Sequence, residues 1–564
     1  MNVNVCATER FRLATKSIAH RIVQFNLATD FETILDTEYG RVRGVQRKTL
    51  YDEELYFAFE GIPYAKPPLG ELRFRAPQPP EMWTHVMDCT YPRSRPMQRH
   101  LVLHSIEGSE DCLYLNVYSK SLKSEKPLPV MVWIYGGSFQ IGEATRDVHS
   151  PDYFMQKEVI LVTLNYRLGA LGFLSLSDPV LDVPGNAGLK DQVMALRWIQ
   201  ENIASFNGDP NNITLMGISA GAASIQIMMS SEQTRGLFHK AILMSGSSLC
   251  DWIDETCYTQ PYLLACKLGY KGDENDQEIL RFLQSIPAKD ISGCKKLIVK
   301  EEKRDYVLIP FGPVVEPYVS ESCLISMPPC KTLSHAWGNR LPMIIGGTSF
   351  EGLVFYQHIT GDMEYMLGAF EALIPRAVRY SSTLAEIQAH VRRLKVSYFE
   401  DATLDQMEFK DCLHLLSCKH FWHAIHRTVL ARLAYAPNTP TYLYRFDFDS
   451  HSFNYSRIMV CGRNERGVCH GDDFFYLFYC IPSYKLEKTS WEYRTIERMI
   501  GMWTAFAAHN DPNCDIVNPT IWETLKSSCN PMCLNIGTNL EFIELPGKKE
   551  LQLWDTFYKK LRLY

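Results

Sequence analysis

The sequence lacks an uninterrupted apolar run of the roughly 18–20 residues that a bilayer-spanning helix needs. Its nearest candidates, 130–135 and 159–164, are the length of single strands. It has no surplus of positive charge either: 58 basic residues stand against 64 acidic ones, a net charge of −6. A mildly acidic chain offers no field to hold a polyanion, so a nucleic-acid partner is not expected. Internal repeats, low-complexity blocks and Gly/Ser linkers are all missing, which argues against fibrous and disordered classes. What is there is a globular composition of 564 residues, 46% hydrophobic and 22% charged. That length holds either several ordinary domains or one large α/β enzyme with insertions. Seventeen cysteines are too few for a disulfide scaffold, and their odd number leaves at least one thiol free or paired outside the chain.

The first thirty residues lack the continuous apolar core of a secretory signal. Instead Phe11, Ile18, Ile22 and Phe25 recur at helical spacing among Arg10, Arg12, Lys16 and Arg21. A basic amphipathic helix of this kind lies on an anionic membrane surface or packs on the protein body; a mitochondrial transit peptide is a third reading. The C-terminus carries no hydrophobic tail or retention tetrapeptide. The expectation is an intracellular protein, cytoplasmic or peripheral on internal membranes, with residues 1–30 as a separate segment and 31–564 as one domain.

Through the first half, strand and helix signals alternate. Continuous apolar runs at 130–135 and 159–165 suit strands buried on both faces of a parallel sheet. Residues 189–206 carry Val193, Leu196, Ile199 and Ile203 at a helical period. A strand at 213–216 enters Gly217 and a helix leaves at 220–229; further strands follow at 241–244, 342–345 and 442–448. The pattern predicts an α/β fold, a large and mostly parallel central sheet flanked by helices. The stretches 251–341 and 363–440 read as helical insertions.

Between one strand and its helix stands Gly217-Ile218-Ser219-Ala220-Gly221. A Gly-x-Ser-x-Gly pentapeptide lets a serine occupy a strained turn that only small neighbours permit. The turn lifts the hydroxyl above the sheet, and the helix starting there points its N-terminus at a developing anion. Upstream, Trp133-Ile134-Tyr135-Gly136-Gly137-Ser138-Phe139 ends a buried strand in a glycine pair able to present consecutive N–H groups to an oxyanion.

These motifs, with Glu110-Asp111-Cys112-Leu113-Tyr114-Leu115-Asn116-Val117 before them, carry a resemblance. The chain is similar to the type B carboxylesterases, the cholinesterase-like group of α/β-hydrolases, and most to the insect α-esterases. Phe59-Glu60-Gly61-Ile62-Pro63-Tyr64-Ala65, Asn165-Tyr166-Arg167-Leu168-Gly169 and Pro184-Gly185-Asn186-Ala187-Gly188 extend the likeness over nearly the whole chain. It implies an α/β-hydrolase fold with Ser219 as nucleophile, Glu351 of Gly347-Thr348-Ser349-Phe350-Glu351-Gly352 as acid and His470 of His470-Gly471-Asp472-Asp473 as base. Their order along the chain is that of α/β-hydrolases. It also implies oxyanion donors at Gly137, Ser138 and Ala220 and an ion pair between Glu110 and Arg73. Trp252, Leu308 and Phe421 are candidate walls of an acyl or alcohol pocket, or equally core residues, and Ile218 is a further pocket candidate. No cofactor or metal is implied. Cys89 and Cys112 match the family's first disulfide, although a reducing compartment keeps such pairs as thiols.

The chain departs from the family at three points. A third glycine is usual where Ser138 stands, and a non-glycine residue there is strained by roughly 1–2 kcal/mol if φ is positive. The family's common glutamate before the nucleophile is replaced by Ile218, which predicts a lower acid limb in the pH–rate profile. Between Cys89 and Cys112 there is no tryptophan to hold a quaternary ammonium, so acetylcholine is not the expected substrate. The expected activity is hydrolysis of broad apolar carboxylic esters, xenobiotic or lipid-derived. A hormone or pheromone esterase with one physiological ester, and a slow-turnover sequestering protein, are the alternatives.

Overall fold

A computed structural model of the chain describes residues 23, 27–100, 104–254, 260–294, 297, 309–360, 370–400, 407–481, 483–526, 530–561 and 563. The amphipathic positions Phe11, Ile18, Ile22 and Phe25, and the pocket candidate Leu308, lie outside them.

Among the described residues, 13 strands form one large sheet. Its centre is parallel, with Ile160–Leu164, Leu128–Ile134, Gly208–Ile218, Lys240–Met244, Met343–Thr348, Thr441–Phe446 and Met532–Ile536 side by side in that order. Its flanks are antiparallel. Ala28–Thr37, Gly40–Lys48, Leu55–Pro63 and Tyr114–Ser119 lead up to Ile160–Leu164 on one side, and Leu540–Glu544 closes the other. The apolar runs read from the sequence are the parallel strands at the centre. They are continuous because both faces are covered: every residue of Ile160–Leu164, Lys240–Met244 and Met343–Thr348 is buried.

The helix expected over 189–206 is Ala187–Asn202 with its last turn tightened into a 3-10 turn at Ile203–Phe206. The one expected over 220–229 is Ala220–Ser230. The insertion after the Lys240–Met244 strand contributes Pro261–Lys267, Asp276–Ser285 and Ala288–Gly293. The later insertion contributes Leu384–Phe399 and Phe409–Ser417, then a π-helical turn at Cys418–Trp422 that runs into His423–Tyr435. No helix among the described residues is long and apolar enough to cross a membrane.

Two of the recognisable motifs serve as ties. Arg73 donates to Glu110 through Nε and Nη2, both at 2.6 Å, and through Nη1 to the carbonyls of Leu283, Gln284 and Ile286 at the end of a helix. Arg167 grips Asp191 at 2.8 and 2.7 Å, fastening the loop after Ile160–Leu164 to the helix Ala187–Asn202. Removing one partner of such a buried pair strands the other charge, at about 3–5 kcal/mol.

Candidate functional site

Four parallel strands end on the same edge of the sheet, where open α/β folds place their ligands. Leu128–Ile134 leads to Gly136, Gly208–Ile218 to Ser219, Lys240–Met244 to Ser245, and Met343–Thr348 to Glu351.

Ser219 has φ 56° and ψ −120°, a conformation that costs a non-glycine residue about 1–3 kcal/mol. Its surroundings hold it there. Its N–H donates to Met244 O at 2.8 Å, and its carbonyl accepts from Ala223 N at 3.0 Å as the helix begins. The flanking glycine is required by close approach: a Cβ on Gly221 would lie 2.0 Å from the carbonyl oxygen of Ile134. A Cβ on Gly136 would lie 2.9 Å from Ser219 Cβ, so the glycine pair of the upstream motif runs directly beside the serine. Ala220 opens the helix with its N–H in the first turn, where no intrahelical acceptor exists.

Ser138 adopts φ 55°, and Phe139 follows at φ 57°. The condition for strain at Ser138 is therefore met. Gly137 at φ 116° continues into a turn in which Gln140 N and Ile141 N donate to its carbonyl at 2.9 and 3.1 Å. Phe139 is anchored edge-on to Phe173, with ring centres 5.0 Å apart.

Glu351 and His470 come together across 119 residues of sequence, Nδ1 to Oε2 at 2.6 Å. Glu351 is fully buried. Its other oxygen, Oε1, accepts from Ser245 Oγ at 2.5 Å and from Thr348 N at 2.7 Å. The carboxylate is thus satisfied on both oxygens, and the imidazole is presented with Nδ1 toward it and Nε2 facing away. Ser245 escaped the sequence reading. Its only signal was a serine at the exit of a strand neighbouring that of Ser219, with no periodicity or motif to mark it.

Phe421 packs against the His470 ring, tilted by 33° with ring centres 4.5 Å apart, and Ile218 Cδ1 lies 3.8 Å from where a Cβ on Gly471 would sit. Both therefore border the histidine loop. Trp252 is buried and donates its indole N–H to the carbonyl of His420 at 3.0 Å. Asp472 accepts from the backbone N–H groups of Cys469 and Arg457 at 2.7 and 3.2 Å. Asp473 accepts from the Tyr444 hydroxyl at 2.9 Å. Burial pushes Asp472 up to about 8, and burial followed by the Glu351 carboxylate pushes Asp473 up to about 7. The acidic pair after His470 is therefore far less charged at neutral pH than its formula suggests.

Cys89 and Cys112 do not form the disulfide that the resemblance allowed. Both are free and buried, and burial raises the Cys89 thiol to about 12 and the Cys112 thiol well above its ordinary value. Among the described residues no group of three or more His, Cys, Asp or Glu side chains could hold a metal ion.

Comparison with known proteins gives a consistent result. The family model described as "Carboxylesterase family" matches residues 32–554. Esterase B1 of Culex pipiens is 37% identical over 537 residues, covering 94% of this chain and 99% of that protein. Juvenile hormone esterase of Tribolium castaneum is 31% identical over 508 residues, 86% of this chain and 85% of that one. Among solved structures, juvenile hormone esterase of Manduca sexta with OTFP covalently attached superimposes with a TM-score of 0.82 at 29% identity. The match covers 94% of this chain and 100% of that one.

Proposed function

The chain belongs to the carboxylesterase family, and from that membership we propose that it hydrolyses its esters through an acyl-enzyme formed on Ser219. As a carboxylic ester hydrolase it acts on small-molecule esters. The observation that carries the serine mechanism is the Glu351–His470 contact of 2.6 Å, on a loop that Ile218, next to Ser219 on its left-handed turn, borders.

His470 Nε2 takes the proton of Ser219 Oγ as the hydroxyl attacks the ester carbonyl. Glu351 keeps the proton of the imidazole on Nδ1 and stabilises the imidazolium that forms. The N–H groups of Gly137, Ser138 and Ala220 receive the oxyanion; losing one such donor lowers the rate by about 10²–10³. The proton on His470 then leaves with the alcohol, and water activated by the same imidazole releases the acid. The covalent attachment in the Manduca esterase supports a reaction of this kind. Phe421, Ile218 and Trp252 give the pocket an apolar lining suited to broad apolar esters, xenobiotic or lipid-derived.

A second reading has one observation in its favour. The left-handed backbone at Ser138 places strain within the oxyanion loop itself, which suits a slow enzyme that sequesters its ester. Pre-steady-state release of nitrophenol from a short-chain ester separates the two. Sustained turnover after the first equivalent supports the esterase, whereas a burst of one equivalent followed by near silence supports sequestration. Ser138→Gly relieves the strain, so it is expected to raise stability by about 1–2 kcal/mol and to raise kcat. Thermal melts and steady-state rates on the same preparation check both, and an unchanged kcat would remove Ser138 from the account of turnover.

A further inference from the structure

Next to Trp252 and Phe421 along the chain lies a cluster of buried ionisable side chains that the mechanism does not use. Asp251, at the start of the short helix Asp251–Asp254, accepts from Lys419 Nζ on one oxygen and pairs with His420 Nδ1 at 2.8 Å on the other. Lys419 and His420 are consecutive residues of the π-helical turn Cys418–Trp422. All three side chains are almost wholly buried. Burial lowers the His420 pKa, and the Asp251 carboxylate opposes it.

Its place in the chain is what gives it a role. Trp252 follows Asp251, and its indole N–H returns to the His420 carbonyl at 3.0 Å. Phe421 follows His420 and packs against the His470 ring, with centres 4.5 Å apart. Each aromatic wall is therefore one residue from a member of the cluster. A π turn carries one more residue than an α turn, and such turns recur at functional sites. The same turn also ties the Glu351 side, through Trp422 Nε1 to Thr348 O at 2.9 Å and, just before it, Ser417 Oγ to Gly352 N at 2.7 Å, while Ser245 holds Glu351 independently.

We propose that Asp251, Lys419 and His420 are positioning residues that lock Trp252 and Phe421 together and thereby set which ester sizes the pocket accepts. The proposal rests on the serine reading above. Loosening the cluster would shift the two aromatic side chains, with Ser245 still holding Glu351. Long or bulky esters would change most in KM and kcat/KM, and the shortest would change least in kcat.

The test avoids leaving a buried charge unpaired by substituting His420, so that Lys419 still neutralises Asp251. His420→Leu removes the donor, and His420→Asn restores an N–H near the position of Nδ1. Nitrophenyl esters from acetate to octanoate, and acetates of alcohols from methyl to naphthyl, are assayed after the active sites of each enzyme have been titrated and its melting temperature measured. In His420→Leu the long-to-short ratio of kcat/KM is expected to shift by about tenfold or more in at least one series, with kcat for nitrophenyl acetate within about threefold of wild type. His420→Asn is expected to return the ratio toward wild type. A lowered melting temperature with both ratios unchanged would make the cluster merely structural and overturn the proposal, as would an equal loss for every ester. Should His420→Leu not fold, the double variant Asp251→Asn with Lys419→Met removes both charges at once and is held to the same ratios. Unchanged ratios alongside an inactive Ser219→Ala enzyme overturn this proposal alone. Hydrolysis that survives Ser219→Ala overturns the serine reading and this proposal with it.

Discussion

Ser219→Ala is expected to lower kcat for a short-chain nitrophenyl ester by about 10⁵–10⁶ while leaving the fold intact. The effect is this large because nucleophile and base act as one unit: without the hydroxyl, His470 has no attacking group to deprotonate. Some acceleration over water remains, because an oxyanion loop and pocket still bind the ester. Alanine meets the same left-handed backbone at φ 56° that serine does, so it adds no new strain. The melting temperature should stay within a few degrees of wild type, which separates chemistry from folding. Activity above about 1% of wild type in a folded Ser219→Ala enzyme would show that another group performs the attack.

Glu351→Gln is expected to cost about 10⁴ in kcat with little change in KM. The reason lies in the count of donors around the carboxylate. Oε1 receives two, from Ser245 Oγ and Thr348 N, and Oε2 receives His470 Nδ1–H. A glutamine amide offers one oxygen and one NH₂ group. Turned one way, its NH₂ confronts Ser245 and the Thr348 N–H. Turned the other way, it faces His470 and favours the tautomer with Nδ1 unprotonated, which leaves Nε2 unable to take the serine proton. In either case the buried site loses the negative charge that would stabilise an imidazolium. Steady-state kinetics over pH 5–9 on the folded variant checks this, and a loss below about tenfold would mean that Glu351 is not the group that orients His470.

Much of this site was legible in the sequence because its most demanding parts are local. The serine turn forces Gly221 against the Ile134 carbonyl, and a constraint that tight leaves a pentapeptide pattern. The parallel strands announced themselves because burial on both faces makes their runs continuous. The strands Ala28–Thr37, Gly40–Lys48, Leu55–Pro63 and Leu540–Glu544 went unread. They lie on the antiparallel flanks, and three of them mix exposed or half-exposed residues with buried ones or bury none. Pairing with a neighbour defines such strands more than their own hydrophobicity does. Ser245 and the Asp251–Lys419–His420 cluster were invisible for a different reason. Their partners lie 106, 168 and 169 residues away, and no spacing within one segment records such contacts. Phe421 was read as a pocket or core residue, while its neighbours in the same π turn were not singled out. Of the two readings left open for Cys89 and Cys112, the structure has the thiols, because matching positions carry no information about oxidation; both fill the core.

Whether one serine carries the acyl group is read from covalent labelling. The enzyme is treated with a phosphorylating organophosphate, residual ester hydrolysis is followed as label is taken up, and the modified peptide is located by mass spectrometry. One phosphoryl group per chain is expected, on Ser219, with hydrolysis vanishing in proportion to labelling and no label on Ser219→Ala. Hydrolysis that persists in fully labelled enzyme, or a label on any other residue, would mean that Ser219 is not the nucleophile.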